Sequence, residues 1–154
     1  MPCERLHSLF GCGLSAREDS ITASTISDLR AAGKHYPELL APAGNLEAAF
    51  AAFHYGADAI YLGLKKFSAR AEAENFTLAE VAEIVAFARA QPRRRRVFVT
   101  VNTLVAQREL PELIETLGAL ADLEIDALII QDLGVYYIVR HYFPELRLPA
   151  STQL

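Results

Sequence analysis

Short apolar runs alternate with amphipathic stretches from Glu38 onward, and this alternation constrains the fold more than any other feature of the chain. The runs extend from Leu39 to Ala43, Ala59 to Gly63, Val97 to Asn102, Ala127 to Gln131 and Leu146 to Thr152. Between them Leu46, Ala49, Phe50 and Phe53 fall at helical spacing, and so do Val81, Ile84, Val85 and Ala88. The same spacing recurs in Leu110, Leu113, Ile114, Leu117 and Leu120, then in Val135, Ile138, Val139 and Tyr142. Thr77 and Glu80 form a capping-box pair ahead of the second helix, and Pro111 is tolerated in the first turn of the third. Nearly continuous apolar strands joined through helices belong in a parallel sheet buried on both faces. The expected class is α/β. A doubly wound sheet and a (β/α) barrel both fit, because a βα unit of about 30 residues is common to both.

Composition narrows the function classes. The chain has 154 residues, 52% hydrophobic and 22% charged, which suits one folded domain. A formal charge of -4 argues against a protein that holds nucleic acid by bulk charge alone. No apolar run reaches the roughly 18 residues of a membrane helix. The start, with Glu4, Arg5 and Arg17, makes a poor signal peptide. Cys3 and Cys12 lack C-x-x-C spacing and a His cluster, which disfavours a zinc site or a disulfide framework. They fit a reducing compartment. The expectation is a cytoplasmic chain with no membrane partner. Residues 1–37 carry Gly11, Gly13 and many Ser and Thr with little periodicity, and are expected to form a poorly structured extension with one short helix over 27–32. Residues 38–154 are expected to be the domain.

In either architecture ligands bind at the carboxyl ends of the strands. Those positions hold Gly44 and Asn45, Gly63, Asn102 and Thr103, Gln131 and Asp132, then Ser151, Thr152 and Gln153. The stretch after the second strand adds Ser68, Arg70, Glu72, Glu74 and Asn75. Asn45 and Asp132 each have a structural reading as a helix N-cap. Asn102 does not, because the next helix starts several residues later. Arg70 is the side chain suited to clamp a carboxylate or phosphate, with a solvated cation as its bland alternative. The run Arg93 to Arg96 precedes a strand, so it belongs to the opposite rim and reads mainly as a solvated turn.

A serine or cysteine hydrolase needs a nucleophile next to a base. His7 and His35 lie in or beside the extension, His54 and His141 fall within helices, and both cysteines precede the domain. No metal-protease spacing and no glycine-rich phosphate loop is present.

The same strand-end residues sit in an ordered set of motifs. Glu38-Leu-Leu-Ala-Pro-Ala-Gly-Asn-Leu-Glu47 is followed by Tyr55-Gly-Ala-Asp-Ala-Ile-Tyr-Leu-Gly63, Phe67-Ser-Ala-Arg70 and Asn75-Phe76. Then come Val99-Thr-Val-Asn-Thr103, Asp126-Ala-Leu-Ile-Ile-Gln-Asp-Leu-Gly134 and Ala150-Ser-Thr-Gln153. From about Glu38 to Leu154 the chain resembles the start of the peptidase U32 family, also called the collagenase-like proteases.

The resemblance implies a partial (β/α) TIM-type barrel of about four βα units plus a fifth strand, and so resolves the choice that periodicity leaves open. It implies the amino-terminal part of a protein whose relatives hydroxylate a tRNA wobble uridine, a ribosomal RNA cytidine or the ubiquinone ring without oxygen. Several relatives carry a 4Fe-4S cluster on four later cysteines, and RNA-directed members use prephenate as oxygen source. No cofactor is expected within this chain. The residues carried over as site-lining are Asn45, Arg70, Asn102, Asp132 and Gln153. Arg70 is expected to bind an anionic group, and Asn102, Asp132 and Gln153 to orient substrate. Pro149 stands where many relatives carry His, which removes a base or ligand. A half barrel leaves apolar strand edges open, so the chain is expected to be unstable alone or to complete itself with a second chain or copy. The leading expectation is an enzyme fragment, inactive by itself, of a protein that hydroxylates tRNA, rRNA or ubiquinone. A non-catalytic partner subunit is the alternative, and a self-contained sugar- or phosphate-binding domain ranks third.

Overall fold

A computed structural model describes residues 37–69 and 75–149. The expected extension over 1–37, with its short helix, falls almost wholly outside the described residues, as do Arg70 and Gln153. The elements run β1 (Leu40–Pro42), α1 (Leu46–His54), β2 (Ala59–Gly63), α2 (Leu78–Ala90), β3 (Arg96–Val101), a 3-10 turn (Gln107–Glu109), α3 (Leu110–Asp122), β4 (Ala127–Ile130) and α4 (Leu133–Tyr142). The four strands form one parallel sheet in the order β1-β2-β3-β4. A strictly sequential order has no switch point, so right-handed crossovers carry every helix to the same face. A doubly wound sheet reverses its order part-way and places helices on both faces. The four strands therefore match one sector of a β/α barrel.

The register divides the strands into two faces. Ile60, Leu62, Val97, Val99, Val101, Leu128 and Ile130 point under the helices and are fully or almost fully buried. They meet Ala49 and Phe53 of α1, Val81, Ile84 and Val85 of α2, Leu113, Leu117 and Leu120 of α3, and Val135 and Val139 of α4 in one core. Phe87 of α2 packs edge-on against Phe50 of α1 at 4.8 Å between ring centres. The other face carries Leu40, Pro42, Tyr61, Phe98 and Ile129, all left at least partly exposed. The Arg96 guanidinium lies 5.6 Å over the Phe98 ring on that face.

The expected fifth strand takes a partial form. Residues 146–149 carry no strand assignment, yet the Leu128 N–H donates to the Arg147 carbonyl at 2.8 Å, so the chain returns alongside β4. Only 146–149 of that expected strand lie among the described residues.

The arginine run lies at the rim expected of it, with Arg93 and Arg94 exposed, but all four of its guanidinium groups are paired. Asp58 and Asp126 each stand one residue before a strand, and each makes the same reciprocal pair of bonds. The Asp58 N–H donates to the Leu39 carbonyl at 2.8 Å, and its carboxylate accepts the Leu39 N–H at 2.9 Å. The Asp126 N–H donates to the Val97 carbonyl at 3.0 Å, and its carboxylate accepts the Val97 N–H at 2.9 Å. Arg93 and Arg95 pair with Asp58, Arg94 pairs with Asp126, and Arg96 pairs with Glu38. Arg95 also donates to the carbonyls of Ala57 and Gly56 at the end of α1. From α2, Arg89 donates to the Leu123 and Glu124 carbonyls at the end of α3. These carbonyls follow directly on helix ends, where the helix dipole favours a cation.

The second helix begins as its sequence requires. The Thr77 N–H and hydroxyl both donate to the Glu80 carboxylate at 2.7 Å, and the Glu80 N–H donates to the Thr77 hydroxyl at 3.3 Å. The backbone bond first, then the hydroxyl, hold the Glu80 carboxyl below the usual carboxylate range.

Two outcomes follow. Asp58 is 5% exposed and Arg95 14%, so Asp58→Ala strands a buried guanidinium and costs about 3–5 kcal/mol. A fall in the urea midpoint checks this. Asp126→Ala, at a more open carboxylate, costs less. An unchanged midpoint for Asp58→Ala would show that the register is set elsewhere. Separately, a carboxyl lowered by folding contributes stability above its unfolded value and loses it as pH falls through its folded value. Acidification therefore lowers the protection of amides in the first turn of α2, taken relative to the intrinsic exchange rate at each pH, and Glu80→Gln removes that pH step. The same step in both proteins would refute the box as its source.

Candidate functional site

Helices of a parallel sheet start at the carboxyl ends of the strands and return to the opposite rim. The C-terminal ends of α1 and α4, with His54 and His141, therefore stand away from the rim where loops leave the strands. At that rim the described polar side chains bind backbone from one loop to the next. Asn102, one residue past β3, accepts the Ala69 N–H from the loop after β2 at 3.0 Å. Asp132, two residues past β4, accepts the Val105 N–H from the loop after β3 at 3.2 Å. Its other oxygen caps α4, accepting from Gly134 at 2.6 Å and Val135 at 3.2 Å. Asn45, past β1, caps α1 by accepting the Ala48 N–H at 2.9 Å.

Three of the five expected site residues thus share the rim, and each holds a backbone group there. Asn102 and Asp132 repeat one device, in which a strand end grips the loop of the strand before it. Arg70 and Gln153 lie outside the described residues; Ala69, held by Asn102, precedes Arg70 in the chain.

Sequence reasoning missed Thr100 and the role of Gly63. Gly63 and Thr100 are paired in register on the open face of the sheet. The Ser68 hydroxyl sits over both, 3.2 Å from that of Thr100, and Thr100 donates to the Leu62 carbonyl at 3.1 Å. All of these groups are buried. A Cβ on Gly63 would fall inside contact distance of the Ser68 hydroxyl, 2.9 Å from its Cβ and 3.2 Å from Asn75 Oδ1. The signal was the small residue ending β2, which leaves room for the loop to fold back. Phe67 adopts φ 64° in that loop, and the Phe76 N–H donates to the Gly63 carbonyl at 2.9 Å. The loop after β2 therefore covers the upper end of the open face.

A larger cavity, about 590 Å³, lies at the opposite rim among Arg89, Arg94, Arg95, Asp126 and Arg147. Three of those arginines already have carboxylate partners, so it reads as the structural rim rather than the site. Among the described residues no group of three or more His, Cys, Asp or Glu could hold a metal ion. A 4Fe-4S cluster is held by four cysteine thiolates, and the chain has two cysteines, so its residues do not fit that group.

The model of peptidase family U32 matches residues 44–154, which spans every strand and helix described except β1. The chain belongs to peptidase family U32. It is 38% identical over 117 residues to tRNA hydroxylation protein P1 of Bacillus subtilis, covering 76% of this chain and 27% of that protein. It is 39% identical over 119 residues to a 23S rRNA 5-hydroxycytidine synthase of Escherichia coli, covering 77% and 17%. It is 30% identical over 118 residues to a collagenase of Porphyromonas gingivalis, covering 76% and 28%. The chain spans about a quarter of the length of the first of these relatives. The U32 segment thus takes in three of the four described strands and all four described helices.

Gly63→Ala should displace Ser68 and cost about 1–3 kcal/mol, the usual penalty of overpacking a filled site. Ser68→Gly in the same chain should recover most of it, giving a coupling energy well above the roughly 0.3–0.5 kcal/mol scatter of independent sites. Additive losses in a denaturation cycle would show that the loop does not rest on Gly63.

Proposed function

We propose that this chain forms the substrate-facing amino-terminal sector of a TIM-type barrel that hydroxylates RNA. The observation that carries the reading is the family match over 44–154, with relatives named for tRNA and rRNA hydroxylation at 38% and 39% identity. The rim chemistry favours it over peptide hydrolysis. The buried hydroxyls, Ser68 and Thr100, bond each other and the Leu62 carbonyl, while His54 and His141 belong to the opposite end of the helices. A nucleophile without a base has no way to attack an amide.

In this reading the open sheet face, with Tyr61 and Phe98, forms part of the barrel interior, and further strands close it. Asn102 and Asp132 fix the loops after β2 and β3, and through them position the groups that touch substrate. Arg70 binds the carboxylates of prephenate in a forked pair, and Gln153 orients the base. The iron–sulfur cluster belongs to a part of the assembly other than these residues. The protein works in the cytoplasm, alongside the tRNA and rRNA for which its relatives are named.

The test is a chimera. Residues 44–154 replace the matched segment of tRNA hydroxylation protein P1 in a Bacillus subtilis strain lacking that protein, and tRNA nucleosides are read by mass spectrometry. The expected result is return of the hydroxylated nucleoside. Arg70→Ala in the chimera lowers it by roughly 100-fold, the scale of losing one partner of a desolvated charge pair. A chimera that accumulates normally but leaves tRNA unmodified would sink the reading.

A further inference from the structure

The outward face of α4 is unlike that of a helix meant only to meet water. Successive residues turn by about 100°, so the direction opposite the buried Val135 and Val139 is taken by Leu133, Tyr137, Arg140 and His141, with Tyr136 at its flank. Leu133 is 74% exposed and Tyr137 65%. The Tyr137 and His141 rings lie parallel within 7°, with centres 5.7 Å apart. No Asp or Glu occurs from Leu133 to Tyr142, in a chain whose net charge is -4. None of the ion pairs among the described residues engages Arg140. Neighbouring helices of a β/α sheet pack on the flanks of α4, so this face stays outward as the sheet is extended. The helix starts at Asp132 on the loop rim and runs down the outer wall.

We propose that this ridge is a stacking platform for single-stranded RNA. Tyr137 and His141 offer flat π surfaces for successive bases, and Arg140 offers a cation to the phosphates between them. Aromatic rings next to an unpaired cation, with no carboxylate among them, are the arrangement that binds single strands without reading sequence. The position on α4 lets a strand whose target base enters the loop rim lay its flanking nucleotides along the wall. The proposal rests on the RNA reading above and names the surface that holds the strand.

The probe is a fluorescein-labelled single-stranded RNA of mixed sequence, titrated with the full chain and read by anisotropy. Tyr137→Ala and His141→Ala each weaken binding by roughly 5- to 100-fold, the range for loss of one base–aromatic stack. Tyr137→Phe keeps the ring and keeps the affinity. The exposed position leaves thermal midpoints unchanged, read by circular dichroism. Equal affinity in wild type and Tyr137→Ala overturns the proposal, and so does absence of binding by the wild type; either result leaves the ridge as a protein-contact surface. The two readings fail separately. An active chimera whose RNA affinity ignores Tyr137 removes the ridge alone, and ridge-dependent binding with an inactive chimera removes hydroxylation alone.

Discussion

The reciprocal bond between Asp58 and Leu39, closed over by Arg93 and Arg95, is the constraint on which the rest of the structure depends. Parallel strands have no hairpin to fix their register, and each pair must be aligned across a whole helical crossover. Asp58 aligns β2 with the chain entering β1 by engaging both backbone groups of Leu39. Asp126 does the same between β4 and Val97 of β3. A slip of one residue would turn Ile60 and Leu62 out of the core and carry Tyr61 into it, so the alignment protects the burial pattern of the whole sheet.

The two aspartates share their surroundings as well. Each follows a helix that ends in a left-handed residue, Gly56 at φ 102° and Glu124 at φ 52°. After each comes a buried apolar residue whose N–H reaches back five residues, Ala57 to Ala52 and Ile125 to Leu120. This is a helix stop of the Schellman type. It delivers the chain into the next strand with the carboxylate already beside its neighbour. Glu124 tolerates the left-handed backbone while Arg89 binds its carbonyl and its carboxylate. The arginines of this rim thus serve helix ends and strand starts together.

Much of this was legible in the sequence, and the misses have physical causes. Helical spacing placed all four described helices, and Thr77 with Glu80 marked the start of α2 because a capping box is a local signal. Strand order was not legible: periodicity reports which face is apolar, not which strands are neighbours, and only the resemblance separated a barrel from a doubly wound sheet. The pairing of the arginine run was missed because composition shows four like charges in a row, whereas their partners Asp58, Asp126 and Glu38 are far away in the chain. The seat of Ser68 on Gly63 was hidden for a similar reason. A glycine at a strand end says that a side chain is unwelcome, but not which neighbour occupies the space.

The two rims divide the work of the sheet. Charge and helix-end bonds are concentrated at the entry rim, where Asp58 is nearly buried and the arginines are paired. At the exit rim the polar side chains are short: Ser68 and Thr100 bond each other, while Asn45, Asn102 and Asp132 bind backbone N–H groups. An amide or carboxylate that has accepted a loop N–H is fixed in orientation and has little freedom left to lose. Asn102 and Asp132 therefore act on the loops after β2 and β3 before any ligand arrives. Position lost in such supports is felt at reacting groups that they never touch. The strand ends of this chain are accordingly the place where its sheet fixes the loops of the exit rim.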